Sequence, residues 1–316
     1  MKRHWPLFAL LALLSLLLPR TGRATDVDGP DCGVLIIDFG DAPENVALPW
    51  GPIAHFPTCL APSGPGTQTA ACPPLGSAPG PTGYMKHVNG GTSHYWMGCF
   101  KNAQGALYGI DSEPDGKYSV GPTTGPSVCD PAVTTDCVSS GPFGPIGGDE
   151  CIGDGSDSGL LGGNPYFLIC GTANFFGIST ANCGTARTAF LNVLADFNSD
   201  GDWNDVVPCA PNIPACPCPP NACFSEWVVK NLEVPIAADC GQVQVPPFQV
   251  PFTQFGVWMR FSLTDGPVAD DYQWAGSANQ PSGAYDGGET EDYLFGVTTG
   301  LPVKGSTWGE MKVRYR

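Results

Sequence analysis

Turn-forming residues interrupt this chain so often that long helices have little room to form. Glycine and proline supply 42 and 33 of the 316 residues, and no window beyond the first 24 residues shows a convincing apolar period of 3.6. Short apolar or alternating runs lie between the turns. Aromatic residues make up 10% of the chain, so a packed core can form. We predict a loop-rich, all-β protein built as a jelly-roll-like β-sandwich.

Four runs in the second half of the chain predict its main strands. They are FLNVLADF (190–197), WVVKNLEVPI (227–236), FGVWMRFSLT (255–264) and EDYLFGVTT (291–299). In the third run, Val257, Met259 and Phe261 share one face because side chains alternate along a strand. An earlier segment, 83–98, carries Asn-Gly-Gly between two short runs and predicts a β-hairpin.

The first 24 residues predict a secretory signal peptide. Lys2 and Arg3 give a basic start, an apolar run covers Leu7–Leu18, and Gly22–Ala24 offers small residues at the usual cleavage offsets. The apolar run is too short to favour a membrane span, and no later segment approaches the roughly 20 apolar residues that a span requires. We therefore expect a secreted or cell-surface protein without a membrane span.

Export changes the interpretation of the cysteines. All 14 follow the signal segment, and an even number in an oxidising compartment predicts up to seven disulfides. Four of them crowd into CAPNIPACPCPPNAC (209–223). Zinc is an alternative, but paired C-x-x-C spacing and a nearby histidine are missing. We favour a disulfide-stapled loop, whose pairing the sequence leaves open.

The charge balance excludes one class of partner. The signal segment holds four of the 14 basic residues and none of the 30 acidic ones, so the remainder has 10 basic and 30 acidic residues and a net charge of −20. Such a surface repels nucleic acid. Bound divalent cations would offset the self-repulsion of the acidic residues, although simple solubility also explains such a charge.

Composition divides the chain into four parts. They are the signal peptide (1–24), a Gly-, Pro- and Cys-rich β region that begins with DFGDAP (25–160), a β-sandwich region (161–300) and a basic-aromatic tail (301–316). The tail ends in STWGEMKVRYR. A sorting or surface-attachment tag and a solvated terminus are both compatible with that composition.

One loop, DFNSDGDWND (196–205), matches the first half of a calcium-binding loop. Its candidate ligands are Asp196, Asn198, Asp200, Asp202 and Asp205. Gly201 stands sixth, where a sharp turn aims the first, third and fifth side chains at one centre. Ca²⁺ prefers six to eight hard oxygens, so we predict a structural calcium site. Val207 replaces the usual Glu at position 12, so the closing carboxylate comes from Asp205 or from elsewhere; the alternative is a polar hairpin turn.

A second acidic segment, GGETEDYLF (287–295), offers three more candidate metal ligands. Glu289 and Glu291 point to one face of the predicted strand, and Asp292 points to the other. Two acidic loops at strand ends could share one cation and tie distant parts of the chain together. Solvated hairpin tips are the alternative.

Several motifs together resemble one protein family. DFGDAP, IDSEPDG, DFNSDGDWND, a WMRFSL strand and GETEDY occur in this order. The sequence thereby resembles the GEVED-domain family of bacterial secreted and surface proteins over most of 37–299. The resemblance implies an extracellular β-sandwich, here within 161–300, whose acidic motifs hold calcium. Segments 51–80 and 209–223 match nothing in the family pattern, and the cysteine count is unusual for it.

No catalytic constellation stands out. The sequence lacks H-E-x-x-H, G-x-S-x-G, a P-loop and a dinucleotide-binding turn. His87 and His94 flank the predicted hairpin turn and could form a copper or zinc pair, but polar decoration of a hairpin is the more common role. Paired carboxylates permit glycosidase chemistry, yet nothing selects one pair. We predict a protein that is not an enzyme.

The sequence leaves two functions open. The first is a secreted, calcium-stabilised extracellular β-domain protein with a structural or adhesion role and cell-surface partners. The second is a carbohydrate-binding or carbohydrate-active module, in which exposed tryptophans stack on glycan rings. The candidates for that role are Trp50, Trp96, Trp203 and Trp274.

Overall fold

The structure is a computed structural model of the chain. It describes residues 32, 36–38, 42, 44–48, 51–56, 85, 87–89, 94–101, 103–108, 159–161, 167–203, 205–209, 216–219, 222–253, 255–268 and 285–299. The predicted signal peptide, the IDSEPDG motif, the basic-aromatic tail and most of DFGDAP lie outside these residues. The described part of the chain contains no helix long and apolar enough to cross a membrane.

The described residues form 18 strands and no helix, which confirms the all-β prediction. The strands are β1 (Ile36–Asp38), β2 (Glu44–Ala47), β3 (Ile53–His55), β4 (His87–Asn89), β5 (Tyr95–Met97), β6 (Phe100–Lys101), β7 (Leu107–Tyr108), β8 (Leu160–Leu161), β9 (Phe167–Cys170), β10 (Ala173–Asn182), β11 (Arg187–Ala195), β12 (Val206–Pro208), β13 (Cys223–Ser225), β14 (Trp227–Ile236), β15 (Asp239–Gln249), β16 (Val257–Thr264), β17 (Tyr285–Asp286) and β18 (Glu289–Thr299).

Two larger sheets make up most of the architecture. The first has five strands in the order β14-β11-β16-β18-β9, with antiparallel neighbours except for the parallel pair β18 and β9. The second has the order β15-β10-β5, and β8 also pairs with β10. A two-residue connection, Ala237–Ala238, leads from β14 in the first sheet to β15 in the second.

The two larger sheets share one apolar core. Phe176, from β10, is buried, and its ring centroid lies 5.8 Å from that of Phe261 and 5.5 Å from that of Phe295 in the five-stranded sheet. Val257, Met259 and Phe261 all belong to this core, which confirms that they share a face. Two sheets joined in this way are consistent with the predicted β-sandwich.

The five-stranded sheet also buries its opposite face. Trp258 and Leu294 alternate with the core residues of their strands and pack there with Phe56 and Trp203. All eight residues of β16 are therefore buried. A second apolar cluster thus forms on the outer face of the sheet, and the acidic loop 196–205 is attached to it through Trp203.

Strands from both halves of the chain share sheets. β5 pairs with β10 in the four-stranded sheet, and β4 pairs with β1 and with β17 in a three-stranded sheet.

The predicted hairpin over 83–98 is therefore wrong, because its two strands, β4 and β5, pair with different partners in different sheets. Asn-Gly-Gly signals a tight turn, but long-range pairing overrides that local preference.

The structure also contains two long strands that the sequence patterns did not predict, β10 and β15. β15 includes Gly241 and the consecutive prolines Pro246 and Pro247, which weaken the signal for a strand. It lies at the edge of its sheet, where an absent N–H group need not interrupt a ladder. The predicted run 227–236, in contrast, coincides with β14.

Several cysteines lie at disulfide distance. The pairs, with their Cα–Cα distances, are Cys32–Cys183 (5.5 Å), Cys99–Cys240 (5.7 Å), Cys170–Cys216 (5.2 Å) and Cys209–Cys218 (6.4 Å). Cys223 is disulfide-bonded as well. All four cysteines of segment 209–223 are thus disulfide-bonded, in agreement with the predicted disulfide-stapled loop.

Candidate metal site

The acidic loop 196–205 connects β11 to β12. β11 lies inside the five-stranded sheet and holds the start of the loop in place, because Asp196 N donates to Trp258 O at 2.9 Å. Ser199 Oγ donates to Gly256 O at 3.2 Å and attaches the middle of the loop to the residue before β16. The loop therefore folds back over the end of the sheet.

Asp196 organises the turn from its first position. Its Oδ1 accepts a hydrogen bond from Asp200 N at 3.2 Å, and its Oδ2 accepts one from Gly201 N at 3.1 Å. Gly201 has a φ of 99°, a left-handed conformation that favours glycine. These contacts join positions 1, 5 and 6 of the predicted calcium loop, so the local sequence is sufficient to explain the turn.

Asn198 bridges the carboxylates of the loop. Its Oδ1 accepts from Asp200 N at 3.1 Å, and its Nδ2 donates to Asp200 Oδ2 at 3.0 Å and to Asp205 Oδ2 at 2.6 Å. An amide N–H donates hydrogen bonds and does not ligate a cation. In this arrangement Asn198 orients two candidate ligands through its Nδ2, and one of the two lone pairs of its amide oxygen accepts a backbone N–H.

Three carboxylates of the loop converge. Asp200, Asp202 and Asp205 each offer an oxygen, and these oxygens lie within 4.8 Å of one another. Among the described residues, these three aspartates form a group of side chains close enough together to hold a metal ion. Asp202 and Asp205 are buried and Asp200 is half-buried. Buried carboxylates this close repel one another, and a cation relieves that repulsion.

Asp205 supplies the most specific indication of a ligand. It is fully buried, and its Oδ1 has no hydrogen-bond partner among the described residues. Burial and the neighbouring carboxylates of Asp200 and Asp202 raise the pKa of Asp205 to about 7. A buried oxygen without a donor is uncommon in native proteins, and a bound ion is one of its recognised explanations.

Glu226 joins this site although it lies outside the loop. It is fully buried; its Oε1 accepts from Phe197 N at 2.9 Å, and its Oε2 accepts from Asp205 N at 3.0 Å. Burial, followed by Asp196 and other nearby aspartates, raises the pKa of Glu226 well above its usual value. No sequence motif pointed to this residue. Its only signal is an acid between Phe224 and Trp227, where apolar neighbours indicate a buried position.

Trp203 anchors the loop to the outer apolar cluster. Its Nε1 donates to Trp258 O at 3.2 Å, and its ring centroid lies 4.4 Å from that of Phe56. The guanidinium carbon of Arg260 lies 4.5 Å from the same ring centroid, within the range of a cation–π contact. The loop is therefore attached through a buried aromatic side chain between Asp202 and Asp205.

Each acid of the second acidic segment has a protein partner of its own. Asp292 forms a two-point ion pair with Arg260, with Nε–Oδ1 at 2.7 Å and NH2–Oδ2 at 2.5 Å. Glu289 Oε2 accepts from Met97 N at 2.6 Å, and Glu291 Oε2 accepts from Tyr293 OH at 3.1 Å. None of the three acids belongs to the converging group of the loop, so the idea of one shared cation gains no support.

The two histidines near the predicted hairpin are both buried. His87 Nδ1 lies 3.1 Å from Gly287 O, and Nε2 lies 2.9 Å from Thr290 Oγ1. Both ring nitrogens of His87 are thus engaged by the protein. The predicted copper or zinc pair required His87 and His94 to meet across a hairpin. In the described residues β4 and β5 do not pair, so this hairpin is absent.

The four tryptophans that were predicted to stack on glycans fall into two groups. Trp96 and Trp203 are fully buried, so they offer no face to a sugar ring. Trp50 and Trp274 lie outside the described residues. Two of the four tryptophans predicted to stack on glycan rings therefore cannot do so.

Comparison of the chain with protein-family models, with curated proteins and with solved structures found no match. The functional interpretation consequently rests on the geometry of the site.

Proposed function

We propose that this chain is an exported, non-enzymatic β-domain protein whose loop 196–205 binds Ca²⁺ for structural purposes. The observation that carries the proposal is the convergence of three aspartates, one of which, Asp205, has a buried oxygen without a hydrogen-bond partner among the described residues. All the groups concerned are hard oxygen donors, which suit Ca²⁺. The loop also has the carboxylate–amide alternation and the sixth-position glycine of known calcium loops.

The burial of the site favours a structural ion. Asp196, Asp202 and Asp205 are at most 3% exposed, and Trp203 attaches the loop to the outer cluster. A catalytic metal keeps a coordination position open to substrate, whereas a structural metal is enclosed by protein ligands. The ion would connect the end of β11 to the start of β12 and neutralise acids that repel one another.

The disulfides support an extracellular setting. Four cysteine pairs lie at disulfide distance in the described residues, and such cross-links persist in oxidising compartments. Calcium sites of extracellular modules typically have dissociation constants of about 10⁻⁴ to 10⁻³ M, so calcium at millimolar concentration fills them. A structural role at or outside the cell surface agrees with both features.

Thermal unfolding of the oxidised protein tests the calcium site. A ligand present at about 100 times its dissociation constant adds roughly 2.7 kcal/mol of stability, and we expect millimolar Ca²⁺ to raise Tm by several degrees relative to excess chelator. Asp200→Ala should abolish most of this rise and leave Tm in chelator nearly unchanged. Glu233→Ala, which removes an exposed acid on β14, is the matched control and should retain the rise.

Two results would contradict the proposal. One is an equal Tm for the wild-type protein in calcium and in chelator. The other is an equal loss of stability by Asp200→Ala in both conditions, which would make Asp200 a turn residue.

A further inference from the structure

One residue from a distant part of the sequence contacts both ends of the calcium loop. Glu226 accepts the N–H of Phe197, which follows the first aspartate of the loop, and the N–H of Asp205, its last aspartate. The distances are 2.9 and 3.0 Å, and each contact uses a different carboxylate oxygen. A single side chain therefore spans the two ends of the loop.

The disulfide-stapled hairpin delivers this side chain. β12 and β13 pair antiparallel, with Val206 opposite Ser225 at the end nearest the site. Glu226 N donates to Asp205 O at 3.1 Å, so backbone pairing continues into the site. The Cys209–Cys218 pair cross-links the segment between the two strands. Segment 209–223, which the family resemblance left unexplained, thus places an acid opposite the last aspartate of the loop.

A carboxylate is an unfavourable choice if its only task is to accept two N–H groups. Glu226 is fully buried in a region that already contains Asp196, Asp202 and Asp205. Burial of another anion among these acids opposes folding unless a cation is close by. The same charge strengthens attraction for a divalent ion, and the backbone N–H groups that donate to the carboxylate fix the positions of neighbouring ligands.

We propose that Glu226 is a positioning residue of the calcium site. By accepting the N–H groups of Phe197 and Asp205, it holds the two ends of the loop at the spacing at which the three aspartates face one ion. This inference rests on the proposed calcium site and extends it to a residue outside the loop. We therefore expect substitutions of Glu226 to weaken calcium binding strongly and to lower the stability of the calcium-free protein only slightly.

Calcium titration by calorimetry, combined with thermal unfolding, tests this role in the full oxidised protein. Glu226→Gln removes the charge and one of the two acceptors, and we expect its calcium Kd to rise about 10- to 100-fold. Glu226→Asp keeps the charge but is one methylene shorter, so it cannot span both ends and should also bind more weakly. Glu233→Gln, at an exposed position of β14, is the matched control and should bind like the wild type.

The outcomes separate the two proposals. A larger Tm deficit in calcium than in chelator for both Glu226 variants would support positioning. Wild-type affinity in Glu226→Asp would overturn it, and so would equal Tm losses in both conditions with an unchanged Kd. If the wild-type protein binds no calcium, the proposed function fails and the role of Glu226 fails with it; if only the Glu226 variants are unaffected, the calcium site stands and this inference alone is lost.

Discussion

His87 shows how a single buried residue can make the fold sensitive to acid. Gly287 O can only accept, so the proton of the neutral ring lies on Nδ1, and Nε2 accepts from Thr290 Oγ1. Thr290 Oγ1 in turn lies 2.9 Å from Ser262 Oγ. Burial, partly offset by the hydrogen bond to Gly287 and reinforced by the charge of Arg260, lowers the pKa of His87 from 6.5 to about 4.

The sign of the resulting pH dependence follows from proton binding. Between pH 6.5 and 4 the unfolded chain protonates this histidine and the folded chain does not, so stability falls as the pH falls through that window. The full effect is roughly 3 kcal/mol at about 1.4 kcal/mol per pKa unit. Urea unfolding of the wild type and of His87→Gln at several pH values in this window measures it. A variant with the same pH slope as the wild type would refute the prediction.

At the scale of secondary-structure elements, the pair β16–β18 contains a buried ion pair that links both acidic segments. Arg260 lies opposite Asp292 in the register of the two strands. The guanidinium of Arg260 also covers the ring of Trp203, and Asp292 Oδ2 accepts the N–H of Ala42 at 2.8 Å. The position of the loop anchor and that of the N-terminal segment therefore depend on the same pair.

We expect this pair to show strong coupling in a double-mutant cycle. Asp292→Asn leaves the Arg260 charge buried without its anion, and such losses cost about 3–5 kcal/mol. Arg260→Met should be similarly destabilising alone. The double variant should recover much of the loss, because no uncompensated charge remains. Urea unfolding of the wild type, the two single variants and the double variant provides the four free energies of unfolding, and strictly additive effects would show that the two residues act independently.

At the scale of the whole molecule, cross-links join parts of the chain that are distant in sequence. Cys99–Cys240 connects residues separated by 141 positions and ties the segment after β5 to β15. Cys209–Cys218 spans only nine positions within the hairpin that precedes Glu226. If loop closure in the unfolded state dominates, the stabilisation depends on the length of chain that each cross-link closes.

Removal of the long-range disulfide should therefore cost more stability than removal of the local one. The chain-entropy relation gives a difference of about 2.4 kcal/mol between the two separations. Cys99→Ser/Cys240→Ser and Cys209→Ser/Cys218→Ser are matched double variants, to be compared by urea unfolding under oxidising conditions. A greater loss from the local pair would show that native-state packing of the hairpin, and not chain entropy, decides the contribution.

The sequence by itself determined the features that depend on neighbouring residues. Frequent turns and a period of two predict the all-β class, the extent of β14 and the shared face of Val257, Met259 and Phe261. The turn at Gly201 follows from hydrogen bonds between residues at most five positions apart. Alternation also predicted that Asp292 points away from Glu289 and Glu291, because that direction is a local property of a strand.

Only the tertiary structure decided the features that require distant segments to meet. It gave β4 and β5 separate partners, because pairing energy from other strands outweighs the preference of one Asn-Gly-Gly turn. It buried Trp96 and Trp203, and it paired Asp292 with Arg260. It also placed Glu226 against the loop, a contact between residues 21 positions apart that no local period encodes. Long-range contacts depend on sheet pairing and shared burial, and these are properties of the whole fold.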